Sequence, residues 1–171
     1  MYLNHPLVPG FPLVLRYGEE RDRDYLAVIF TEVWAGIPEK DRAAILSRGY
    51  GQIAVDVLRK DRRDFKTRFD TSGDIRLKRS AVDMKPRKAL VHLVAREFAH
   101  KVDDIDYPDF VARRSEPPTN AKRRVVAILE RWGYPAKETR EYTPADKERM
   151  RANLATATDE ASQDDSQESE P

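Results

Sequence analysis

The segment from Pro86 to Val102 narrows the folds open to this chain more than any other. Leu90, Val91, Val94, Phe98 and Val102 recur at helical spacing and share one face, while His92, Arg96 and His100 follow one another four residues apart along another. Pro86 suits the start, because a proline lacks the amide hydrogen that the first helical turn leaves unbonded. The spacing predicts a helix over roughly Arg87 to Val102. A helix with one apolar stripe is stable in water only when that stripe is covered by a sheet or by other helices.

The flanking sequence supplies such partners. Tyr25, Leu26, Val28, Ile29, Phe30, Val33 and Trp34 predict a helix over Glu20 to Ala35, broken by Gly36-Ile37-Pro38. Pro38 opens a second helix, Glu39 to Ser47. Alternation around Ile53, Val55 and Val57 predicts a strand within Gly49 to Leu58. Phe65 to Phe69 forms a second candidate strand, Thr71-Ser72-Gly73-Asp74 a turn, and Ile75-Arg76-Leu77 a short third strand. Asp103 to Pro118 reads as a loop. Thr119 or Asn120 caps a helix running to about Arg131 and stopped by Gly133. Thr143-Pro144-Ala145-Asp146 begins a last helix that fades by Ala155. Met1 to Tyr17, with Pro6, Pro9, Gly10 and Pro12, reads as an extended arm.

A chain of 171 residues is one domain with room for a core, and charged residues make up 36% of it. With no cysteine, disulfides and thiolate metal sites are excluded. No apolar run reaches membrane-spanning length, and Met1 to Pro6 lacks a signal-peptide pattern, so the expected place is the cytoplasm, away from membranes. The net charge of +1 hides an asymmetry. Residues 158–171 hold six acids and no base, and with no large apolar residue they are expected to be disordered. Residues 59–88 hold twelve bases against five acids. Arg59, Lys60, Arg62, Arg63, Lys66 and Arg68, interleaved with Phe65 and Phe69, are candidates for binding an anion or a nucleic acid, the cations attracting phosphate and the rings stacking on bases. A charged hairpin with both Phe residues turned inward is the alternative, and no known nucleic-acid-binding signature is present.

Within the central helix, Arg96-Glu97-Phe98-Ala99-His100 reads as H-E-x-x-H with its first histidine replaced by arginine. In the intact motif two histidines one turn apart hold Zn²⁺ and the glutamate activates a water. Here Glu97 remains as a candidate catalytic base and His100 as a candidate metal ligand. Arg96 is always charged, has no acceptor and cannot ligate a cation. His92 cannot take its place, since eight residues of helix separate its backbone from that of His100 by roughly 12 Å. His5, Asp103, Asp104 and Glu116 are the remaining side chains from which a ligand might be drawn, and no spacing singles one out. The alternative is a solvated helix face, with Glu97 and Lys101 as a surface ion pair and Asp103 and Asp104 at an exposed helix end.

Several elements, in this order, resemble small bacterial zincin-like proteins of the ImmA/IrrE and SprT kind. They are Trp34-Ala35-Gly36-Ile37-Pro38, the strand near Ile53 to Val57, Gly73-Asp74-Ile75-Arg76-Leu77, the pentad Arg96 to His100, and Glu130-Arg131-Trp132-Gly133-Tyr134-Pro135. The resemblance covers about residues 20–135. It implies an α+β domain over residues 20–157, with a small mixed or antiparallel sheet and four or five helices, preceded by an arm over 1–19 and followed by the tail over 158–171. It also implies a third ligand, an acid eight to ten residues before the Trp, where this chain has Lys122 and Arg124. With two ligand regions basic, the expectation is a degenerate site, no bound cofactor, and a non-catalytic binding or regulatory role with a protein partner. A metal-dependent peptidase with an unusual ligand set and a nucleic-acid-binding protein using residues 59–88 are the alternatives.

Overall fold

The computed structural model describes residues 2–8, 11, 13–47, 53–58, 74–109, 112, 115–138 and 141–164. Four strands are found among them: β1 (Tyr2–Pro6), β2 (Leu13–Tyr17), β3 (Ile53–Leu58) and β4 (Ile75–Lys78). They form one mixed sheet in the order β1-β2-β3-β4. β1 is antiparallel to β2, whereas β2, β3 and β4 run parallel, with Leu15 opposite Val55 and Val57 opposite Leu77. An antiparallel sheet is therefore not the arrangement, since only the first pair has that sense. The physical reason lies in the connections: parallel neighbours need a long crossover, and two helices intervene between β2 and β3.

The expected N-terminal arm is also corrected. Residues 2–17 carry two strands of the sheet, and Leu13 and Leu15 are fully buried. Pro6 closes β1 at the sheet edge, where a missing amide hydrogen costs no ladder bond. The candidate strand Phe65 to Phe69 and the turn residues Thr71 to Gly73 lie outside the described residues.

Six helices are described, against the four or five expected: α1 (Glu20–Gly36), α2 (Glu39–Ser47), α3 (Arg79–Met84), α4 (Arg87–Asp106), α5 (Pro118–Arg131) and α6 (Pro144–Asp164). α1 begins in a capping box in which the Glu19 amide donates to Asp22 at 2.8 Å. α4 runs one turn further than expected, through the start of the supposed loop. α5 ends at Arg131, and Gly133 just beyond it has a φ of 83°, a left-handed conformation that glycine adopts without a Cβ clash. α6 continues to Asp164, so the first residues of the stretch expected to be disordered are helical, and 165–171 lie outside the described residues.

α4 is the spine of the core. Leu90, Val94, Phe98 and Val102 are fully buried, each contributing roughly 1.5–3 kcal/mol by leaving water. α4 packs against α1, α2 and α5. Phe98 meets Phe30 edge to face at 6.1 Å between ring centres, and Phe11 stacks on Trp34 at 4.0 Å. Among the described residues no helix is long and apolar enough to cross a membrane.

Candidate functional site

The motif pentad lies on α4, and its members have different surroundings. Arg96 is exposed, and Glu97 and His100 are half-buried. Burial pushes the Glu97 carboxyl above the usual carboxylate range, although the cations of Arg96 and Lys101 oppose it. Lys101 is only 8% exposed, and burial lowers its ammonium pKa despite nearby Glu97, Asp104 and Asp74. The expected surface pair of Glu97 and Lys101 is therefore corrected. A helical wheel reports which residues share a face, and here that face is covered.

His92 is corrected in the same way. It is buried rather than on a polar face, and its Nε2–H donates to the Pro135 carbonyl at 2.8 Å. That bond fixes the tautomer and ties α4 to the turn after α5. The side chain of His5, in β1, is outside the described part.

The region that the resemblance assigns to a third ligand holds an ion-pair clasp. Arg124 of α5 donates through Nε to Asp103 at 2.6 Å and through Nη1 and Nη2 to Glu116, both at 2.7 Å. Its guanidinium lies 4.5 Å from the centre of the Tyr107 ring. The hydrogen bonds to Glu116 and then Asp103 raise the Arg124 pKa, so the group is held firmly as a cation. Asp103 is 1% exposed, which corrects the expectation of a solvated helix end. Glu116, a possible ligand in the sequence, is engaged by Arg124 through both carboxylate oxygens. Lys122, the other basic residue of that region, points into solvent.

These residues do not fit a zincin metal centre. One ligand position is a guanidinium exposed to water, and the carboxylates near the other are neutralised by a second guanidinium. Among the described residues no group of three or more His, Asp or Glu side chains is arranged to hold a metal ion.

Residues 74–88 of the basic segment are described, and their charge is largely matched. Arg79 donates to Asp22 at 2.9 Å and to Asp83 at 3.2 Å. Lys85 contacts both oxygens of Glu138 at 2.8 Å, Arg87 pairs with Glu32, and Lys88 lies 3.7 Å from Glu141. Arg59, Lys60, Arg62, Arg63, Lys66 and Arg68 lie outside the described residues.

A second charged system lies across the sheet. Arg16 of β2 grips Asp56 of β3 through two bonds, 3.0 and 2.6 Å, and reaches Asp74 at 2.8 Å. The hydrogen bond to Asp56 outweighs desolvation and raises the Arg16 pKa. The sequence carried a signal for this system. Asp56 interrupts Ile53, Ala54, Val55 and Val57, and an acid inside a buried strand requires a cation.

A crease of about 180 Å³ opens between α1, α4 and the turn after α5, lined by Glu32, Arg87, Lys88, Val91, His92, Tyr134 and Pro135. That is smaller than the roughly 300–1,000 Å³ of small-molecule and cofactor pockets. No family model, curated protein or solved structure matches this chain.

Proposed function

We propose that this chain is a non-catalytic, zincin-like binding or regulatory protein in which ion pairs stand where a metal site would be. The observation that carries the reading is the Arg124 clasp on Asp103 and Glu116. A buried carboxylate at the end of the motif helix needs a positive partner. In an active zincin a metal ion would be the cation next to that helix; here the chain supplies a guanidinium. Arg96 acts in the same direction, because its fixed charge repels Zn²⁺ and removes a donor. The motif helix keeps a structural duty, with Phe98 and Val102 in the core and His92 fastening the turn at Pro135. A protein is the partner class we assign.

Elemental analysis of the purified chain without a histidine tag tests this reading. The expected result is far less than one zinc per chain and no chelator-sensitive cleavage of a generic peptide. Near-stoichiometric zinc together with such cleavage would overturn it in favour of a peptidase with an unusual ligand set.

A further inference from the structure

The elbow between α3 and α4, residues 82–87, is held on one side by polar contacts from the C-terminal part of the chain. Arg149 of α6 donates to the Val82 carbonyl at 2.6 Å and to the Lys85 carbonyl at 2.6 Å. These oxygens belong to the end of α3, so Arg149 acts as its C-terminal cap. Asp146 accepts the Arg87 amide at 2.8 Å and so caps the start of α4. Before α6 begins, Glu138 pairs with Lys85 and the Tyr142 hydroxyl donates to the Met84 carbonyl at 3.4 Å.

What α6 lacks matters as much. Among the described side chains of residues 144–156, Asp146 is the one that is buried, and none belongs to the hydrophobic core. Leu154 is exposed. The other long helices, α1, α4 and α5, each place several apolar side chains in the core. Beneath α6 lies Tyr25 of α1, with the Arg149 guanidinium 4.5 Å from its ring centre. The Tyr25 hydroxyl is shielded from solvent and has no hydrogen-bond partner among the described residues.

We infer that residues 141–156, together with Glu138, act as a strap, latched by polar contacts onto the α3–α4 elbow, that opens as a unit and uncovers the Tyr25 face of α1 while the rest of the fold stays closed. The reasoning is energetic. Hydrogen bonds and caps exchange protein partners for water at a small net cost, whereas pulling apolar side chains from a core does not. Among the described side chains of α6 the apolar Met150 is half-buried and the rest of the hold is polar, and a segment held mainly by the first kind opens at a lower free energy than the body. Opening would free the Tyr25 hydroxyl to bond with water and would leave the start of the motif helix uncapped, so the strap bears directly on α4. This inference does not depend on the zincin-like reading, which concerns the other end of α4.

Hydrogen exchange followed by mass spectrometry on the full chain tests it, with tetranitromethane nitration of Tyr25 as a second readout. In the native chain at low salt, amides of 146–156 are expected to exchange faster than those of 94–102 yet more slowly than an unstructured peptide. Asp146→Asn combined with Arg149→Gln is expected to speed exchange across 146–156 by about tenfold or more. Nitration of Tyr25 should rise in step, and exchange over 94–102 should hold constant. Raising salt from about 0.05 to about 0.5 M should shift the native chain in the same direction, by several-fold. Exchange of both segments at one common rate would overturn the inference, as would global unfolding of the double variant, because each makes α6 part of the body. Exchange over 146–156 that is already at the unstructured rate in the native chain would overturn it too, as would a double variant with unchanged exchange there.

Discussion

Asp41 accepts a hydrogen bond of 2.7 Å from Trp132 Nε1 in the protein interior. The same carboxylate oxygen takes Arg131 Nη2 at 2.7 Å, so one acid on α2 fixes both the last residue of α5 and the turn beyond it. Asp41→Ala would strand a buried indole N–H, at a cost of about 1–3 kcal/mol. Chemical denaturation should show that loss, and Asp41→Asn, which keeps an acceptor, should lose less. Equal losses in the two variants would mean that the indole bond is not the source of the stabilisation.

Arg124→Ala is expected to destabilise the fold by about 1–3 kcal/mol, because it removes the charged donor of short hydrogen bonds to the buried Asp103 and to Glu116. Glu116→Gln should cost less, since Glu116 is less deeply buried than Asp103. Arg124→Met and Asp103→Leu made together should cost less than the sum of those two changes made singly. A double-mutant cycle by denaturant titration measures the coupling. Additive effects would show that the clasp is not a unit.

Glu97 carries a pH signature whose sign is fixed by its burial. Its folded pKa lies above its unfolded value, so the folded state favours the protonated acid. The contribution of Glu97 to stability is then most favourable below its unfolded pKa and is lost as pH rises through the folded pKa. Glu97→Gln should therefore match the native chain in acid and exceed it in melting temperature at neutral pH. A variant no more stable than the native chain at neutral pH would contradict this.

Arg96→His restores the two-histidine pair in sequence but leaves Glu116 and Asp103 committed to Arg124. It is expected to bind zinc weakly and to show no chelator-sensitive peptide cleavage. Efficient cleavage by this single variant would mean that a third ligand is recruited from elsewhere in the chain.

Apart from the short α3, the helices were the legible part of this sequence because their punctuation is local. Pro38, Pro86 and Gly133 mark boundaries through backbone geometry that needs no partner. β3 and β4 were legible from alternation, but their parallel pairing was not, since alternation names a face and not a neighbour. The hairpin of β1 and β2 was hidden by Pro6, Pro9, Gly10 and Pro12, which read as irregular chain although Pro6 merely closes an edge strand. The motif helix was found, yet the surroundings of its polar residues were not. His92 is sealed by a turn 43 residues away, and Asp103 is neutralised by a cation 21 residues away. In the described half of the basic segment, the acids that pair with Arg79, Lys85 and Arg87 include Asp22, Glu138 and Glu32, each more than 50 residues away in sequence and so not readable from local pattern.

The order of the strands sets the order in which this chain can assemble. β2 finds β1 as a partner within a short hairpin, and such hairpins close in about 1–10 μs. Its other neighbour, β3, begins only at Ile53, after two helices. At ribosomal speed that stretch emerges about 2–7 s later. During this interval one edge of β2 can pair with β1, in a hairpin that is at best marginally stable alone, and the other edge awaits its mate. β1, an edge strand of the finished sheet, is thus the first partner that β2 can meet while the protein is being made.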